Sequence, residues 1–328
     1  MHGVRPFLQK HLRERVDRFY SISEKEIDIS VEGEFSWKGT RVAVLEKGND
    51  IFSPKITISK FDELTSDQIK KIEKRLIIFL DQKLKSLMGN FFELRKSSEF
   101  KGIARGLIHR YLENMGVIPK AQVMEEFRVI QSEMKSTLRG FGIRFGYKVI
   151  YDPTGLKPEA TKWRLALFNV FNENEKKVFF PPPGLITLPY DENISKAQYL
   201  VGGFFVAGSR VIRVDMLERL FFMVKNVDQL SWFEPDASML SISGLGLKDF
   251  SDLMNKLGFI SKTEKYLSQN ESNKTETPEN ISKEEGFLTY EIEGEKFRVF
   301  LKKQIRQINE NNEKQKNRKS FEKNKRKK

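Results

Sequence analysis

The stretch 66–87, SDQIKKIEKRLIIFLDQKLKSL, sets Ile69, Ile72, Leu76, Ile77, Leu80 and Leu84 three and four residues apart. A helix repeats its side-chain direction every 3.6 residues, so this spacing gathers one apolar stripe and leaves the intervening charges to solvent. Ser66 offers a hydroxyl to the first free N–H groups and is the expected cap. Two more stripes follow. Phe100, Ile103, Ala104, Leu107, Ile108 and Tyr111 form the first, stopped near Gly116, and Pro119 opens the second, with Val123, Phe127, Ile130, Met134 and Leu138 on one face. Residues 67–138 therefore read as a helical bundle.

Upstream, Arg5 to Phe19 has helical spacing with a basic outer face. Phe35-Ser36-Trp37, the turn Lys38-Gly39, Arg41 to Leu45 and Lys55 to Ile58 then spell a small antiparallel sheet. Downstream, Phe141 to Tyr151 reads as extended and Lys157 to Phe171 as a helix, before the break Pro181-Pro182-Pro183-Gly184. Beyond it come a helix near Ser195 to Leu200, a strand at Val211 to Val214, a helix at Asp215 to Lys225, a strand near Met239 to Ile242 and a helix from Lys248 to Leu257. Those elements suit a compact unit of winged-helix size. The expected class is α+β, mostly helical. Its divisions are an N-terminal helix and sheet (1–60), a helical bundle with an extended basic and aromatic segment (61–178), a small winged-helix-like α+β unit (179–261), a linker (262–286), a hairpin (287–301) and a disordered basic tail (302–328).

The whole chain has 328 residues and 58 Lys and Arg against 45 Asp and Glu, leaving +13 at pH 7. Much of the excess is terminal, because Lys302 to Lys328 holds nine Lys and three Arg against three Glu. So basic and apolar-poor a segment lacks the burial to offset its ordering entropy, and suits contact with a polyanion. Elsewhere 26 of the 27 Phe supply a core. With no Cys, disulfides, thiolate metal sites and cysteine nucleophiles are excluded, which fits a reducing cytoplasm. Apolar runs such as Leu76 to Leu80 are too short to span a bilayer, and no secretory signal follows Met1, so the expected setting is cytoplasmic with no membrane contact.

Catalytic signatures fail one by one. No Gly is followed by Lys, so the phosphate-cradling G-x-x-x-x-G-K-[ST] loop cannot occur, and Asp62-Glu63 and Asp191-Glu192 lack the apolar strand that precedes a magnesium-binding acidic box. His2, His11 and His109 lack zinc-ligand spacing. Gly244-Leu245-Gly246 and Gly140-Phe141-Gly142 both miss the third glycine of a dinucleotide fingerprint, where Asp249 and Phe145 stand. Arg139-Gly140-Phe141-Gly142 matches the first half of an RNP1 pattern, and Ile143-Arg144-Phe145-Gly146 departs from the second. What remains is Arg139, Arg144 and Lys148 interleaved with Phe141, Phe145, Tyr147 and Tyr151, cations beside stacking surfaces, set against the plainer reading of a core strand with basic ends.

Several motifs also occur in a recognisable order. They are Phe100-Lys101-Gly102-Ile103-Ala104-Arg105-Gly106, then Leu138 to Gly146, then Tyr151-Asp152-Pro153 with Leu156-Lys157-Pro158, and finally Gly208-Ser209-Arg210-Val211-Ile212-Arg213 running on to Leu220. Over residues 4–260 the chain resembles the C-terminal region of alphaproteobacterial helicase-related proteins, superfamily-two helicases similar to the mitochondrial degradosome RNA helicase. In that family two motor domains holding the nucleotide site precede this region. The resemblance implies an accessory region that guides single-stranded RNA or DNA beside helicase motor domains in cis or in trans. ATP and magnesium would belong to the motor, and this chain alone would be inactive without cofactors of its own. The resemblance taken together with the basic and aromatic interleaving gives Arg105, Arg110, Arg139, Arg144, Lys148, Phe145, Tyr147, Arg210 and Arg213 as expected contacts, and the charge of the tail adds Arg318, Lys325 and Arg326. The alternative is a protein-docking scaffold for a motor, nuclease or ribosome.

Overall fold

Thr65 caps the longest helix, one residue before the expected Ser66. Its hydroxyl accepts the Gln68 N–H while Gln68 Oε1 accepts the Thr65 N–H at 2.8 Å, a capping box. These atoms come from a computed structural model that describes residues 4–59, 64–173, 177–226, 231–265, 283–284, 287–292 and 295–303.

In chain order the elements are α1 (Val4–Ser21), β1 (Ile27–Ile29), β2 (Glu34–Trp37), β3 (Thr40–Asp50), β4 (Ser53–Ile58), α2 (Ser66–Lys96), α3 (Gly102–Glu113) and β5 (Val117–Pro119). Next come α4 (Met124–Val129), α5 (Ser132–Gly140), β6 (Arg144–Phe145), β7 (Val149–Tyr151), α6 (Pro158–Asn172), β8 (Thr187–Pro189), α7 (Lys196–Val201), β9 (Phe204–Ala207), β10 (Arg210–Arg213) and α8 (Val214–Met223). The remainder are α9 (Ala237–Ser243), α10 (Leu247–Leu257), β11 (Phe259–Lys265), β12 (Lys283–Glu284), β13 (Phe287–Leu288), β14 (Tyr290–Ile292) and β15 (Glu295–Lys303). The class is α+β, with about half of the described residues helical and several small antiparallel sheets. Among the described residues no helix is long and apolar enough to cross a membrane.

The chain divides into two units, Met1–Glu218 and Arg219–Lys328, with the boundary inside α8. In the first unit one hydrophobic core runs from Val16 to Val201. The meander β1-β2-β3-β4 meets α2 and α6 there, and Phe35, Phe79 and Trp163 stack at centroid distances of 5.9–6.3 Å. This core spans position 60, because the inward face of the sheet is covered by helices from far along the chain, while Phe179, Ile194, Tyr199, Phe204 and Val211 form a cluster of their own.

The expected continuous helix from Pro119 to Leu138 is broken. Ile130 and Gln131 are extended, with ψ of 127° and 158°, and the break lets Val123, Ile130 and Leu138 all be buried. The order α3, β5, α4, α5, β6, β7 follows, closed by an antiparallel sheet of strand order β5-β7-β6. The same first-third-second order recurs in β8-β10-β9.

In the second unit the strand expected at Met239 to Ile242 is the helix α9. Asp236 Oδ1 accepts the Met239 N–H at 2.9 Å and Gly244 ends the helix at φ 67°, so local caps outweigh a short apolar run that periodicity reads either way. Of the hairpin expected at 287–301, the part from Tyr290 on is present as β14 and β15, Phe287 and Leu288 pair with β12 instead, and β15 also pairs with β11. Residues 262–265 of the expected linker continue β11, and Lys302 and Lys303 of the expected tail continue β15, because pairing satisfies their backbone. The linker residues 266–282 and the tail residues 304–328, with Arg318, Lys325 and Arg326, lie outside the described residues.

Candidate nucleic-acid interface

The β6–β7 turn is held by a single carboxylate. Glu218, on α8 and 7% exposed, accepts the backbone N–H groups of Tyr147, Lys148 and Val149, the last two at 2.8 Å. Consecutive amides of this kind form an anion-binding concavity, which Glu218 fills. Gly146 is required beside it, since a Cβ there would lie 2.3 Å from the carboxyl carbon. Burial pushes the Glu218 pKa up, opposed by the three amides and by Lys120. Lys120 completes the clamp, its backbone N–H donating to Lys148 O at 2.8 Å and its Nζ to Gly146 O at 3.1 Å. Desolvation holds the Lys120 pKa below the usual lysine value, against the pull of Glu218.

On this frame Phe127 from α4 and Phe145 from β6 set their rings 5.3 Å apart. Three cations surround the pair. Lys120 Nζ and Lys135 Nζ lie 4.4 and 4.3 Å from the Phe127 centroid, and the Arg139 guanidinium lies 5.5 Å from that of Phe145. Lys135 and Arg139 are one turn apart on α5 and so share a face. Among the described residues neither forms an ion pair, so their charge is available to an incoming anion. Both rings are half-buried and packed against the core.

The sequence reading meets this cluster only in part. Arg139 and Phe145 belong to it. Strand alternation puts Arg144 on the opposite face of β6 from Phe145, opposite Tyr151 in register, so the cations and rings do not interleave along one strand face. Tyr147 is 41% exposed at the turn and Lys148 is half-buried beside it. The other arginines are dispersed. Arg105 donates to the carbonyls of Arg95 and Ser97, at 2.8 and 3.3 Å, and so closes the end of α2. Arg110 joins α3 to α4 by donating to Glu126 at 2.5 Å and to Gln122 O at 2.8 Å. Arg213 is held bidentately by Asp215 at 2.6 and 3.0 Å, and Arg210 lies in β10, away in sequence from α5.

No family model, curated protein or solved structure matches the chain. The site therefore stands on its own chemistry. Sequence reasoning missed Lys120, Lys135 and Glu218 and assigned Phe127 to a core stripe. The i, i+4 spacing of Lys135 and Arg139 was the one local signal that could have paired them.

Proposed function

We propose that the chain is a nucleic-acid-binding accessory region that guides a single strand of RNA or DNA beside an ATP-dependent helicase motor, without an ATPase site of its own. The block from α3 to β7 serves as a winged-helix-like element in this reading, with α5 as its contact helix and the β6–β7 turn as its wing. Its helix and strand order supports that, whereas the sequence reading assigned the winged-helix-like unit to 179–261. The observation that carries the proposal is the Phe127–Phe145 pair ringed by Lys120, Lys135 and Arg139. Aromatic faces accept any base, and neighbouring cations neutralise phosphates. The lack of Cys fits a cytoplasmic setting for the reading.

The test is a fluorescence-anisotropy titration of labelled single strands across a salt series. A Lys135→Ala, Arg139→Ala protein should bind at least about tenfold more weakly, and its log K against log salt slope should fall by roughly 0.7 for each phosphate that is no longer neutralised. Equal affinity and an unchanged slope in a folded double variant would overturn the site.

A second reading, a docking module for a motor, nuclease or ribosome, is favoured by one observation. An apolar cleft of about 70 Å³ lies among Val16, Phe19, Trp37, Val42, Leu64 and Ile72. Capture of a purified motor that persists at high salt without nucleic acid, and is lost in Val42→Asp, would support it.

A further inference from the structure

The second unit carries its own arrangement of rings and cations. In the register of β11 and β15, Ile260 faces Lys302, Lys262 faces Phe300 and Glu264 faces Arg298. The alternate residues Phe259, Val299 and Leu301 are buried, so these six share the outer face of the sheet. Trp232 is brought beside that face because Phe233 exchanges both backbone hydrogen bonds with Leu301, at 2.8 and 2.9 Å. Trp232 is 40% exposed, with Lys262 Nζ 5.1 Å and Lys302 Nζ 6.0 Å from its ring centroid. Lys262 also lies 4.8 Å from the Phe300 centroid, and the Arg298 guanidinium 5.3 Å from it.

Two acids temper the charge. Glu264 pairs with Lys262 at 2.6 Å and Glu234 pairs with Arg298. Lys302 and Lys303 stand outside both pairs, and the chain after Lys303 adds seven Lys and three Arg against three Glu. A large exposed aromatic on a sheet face, flanked by lysines and covalently continuous with a basic segment, matches the chemistry of single-strand binding surfaces, where bases stack on rings and cations follow the phosphates.

We infer that the outer face of β11 and β15, with Trp232 as its stacking residue, is a second binding site for single-stranded nucleic acid. It involves none of the residues of the α5–β7 interface, and it holds or fails separately from the helicase-accessory reading.

Trp emission supplies a local readout. Trp37 and Trp163 are 5% and 3% exposed, so Trp232 is the accessible indole. Titrating the full chain with oligo(dT) or oligo(U) should quench its emission. Trp232→Phe should abolish the quenching while retaining most of the affinity, and Trp232→Ala should weaken binding by on the order of tenfold. The Lys135→Ala, Arg139→Ala protein should still show the quench, which separates this site from the other interface. Binding without quenching would mean that the basic segment alone makes the contact and would overturn the inference. So would a quench that persists in Trp232→Phe, or a folded Trp232→Ala protein with unchanged affinity. A face that serves a protein partner instead would leave emission untouched by either homopolymer, which would overturn the inference equally.

Discussion

Glu218 Oε1 accepts the N–H of Lys148 and of Val149, both at 2.8 Å, and so ties the β6–β7 turn to the first turns of α8. Removing the carboxylate takes away the Glu218 hydrogen bond from three turn amides, Tyr147 included. Glu218→Ala should cost at least about 2 kcal/mol in urea unfolding, since hydrogen bonds to a charged group contribute roughly 1.5–3 kcal/mol each. Glu218→Gln should cost less, because its amide oxygen still accepts the N–H groups of Lys148 and Val149, although its NH2 cannot accept that of Tyr147.

The same carboxylate imposes a pH signature. Its folded pKa lies above the ordinary value of 4.5, so between the two values the folded state holds a proton that the unfolded chain has released. The Glu218 contribution to stability therefore falls as pH rises through that window and levels off above the raised pKa. Subtracting the unfolding free energies of Glu218→Gln from those of wild type across mildly acidic pH should expose a decline with rising pH. A flat or rising difference would contradict it.

Phe145 separates packing from stacking. Leucine fills much of the same volume against Phe127 without a π face, so Phe145→Leu should shift stability by less than about 1.5 kcal/mol. Base stacking on an aromatic is worth roughly 1–3 kcal/mol, so single-strand affinity should drop about fivefold or more. Thermal melts and anisotropy on the same preparation compare the two.

Gly116 and Gly244 form a matched pair of backbone tests. Both have positive φ, 79° and 67°, but a Cβ at Gly116 would lie 2.3 Å from the buried Phe91 ring, while one at Gly244 meets open space. Gly244→Ala should cost about 1 kcal/mol from the left-handed backbone alone. Gly116→Ala should cost at least about 1–3 kcal/mol more, because the ring must move within a packed core. Denaturant midpoints measure both, and equal losses would rule out the steric part.

The sequence by itself determined the elements whose signal is local. The helices α2, α3 and α10 and the strands β2, β3 and β4 follow from 3.6- and 2-residue periods, although Ile77 and Ile103 of the expected stripes are exposed, and α6 is buried on nearly every side. The hairpin of β14 and β15 was also legible from alternation around Glu293-Gly294. Where the signal is short, that reading failed. Met239 to Ile242 fits either period until Asp236 caps it, and the run from Pro119 to Leu138 conceals a break that only packing around Val123 and Ile130 reveals.

Only the tertiary structure decided the candidate site. Glu218 reaches Tyr147 across 71 positions, and Phe127 meets Phe145 because α4 and β6 share one small sheet-capped block. Periodicity says which side of an element faces inward but not which element faces it. The resemblance, not periodicity, put Arg105, Arg110 and Arg213 among the contacts, and the fold gives each a carbonyl or carboxylate partner, which for Arg213 is the nearby Asp215. Periodicity passed over Lys120 and Lys135, whose place beside the rings arises only when separate helices and strands pack together.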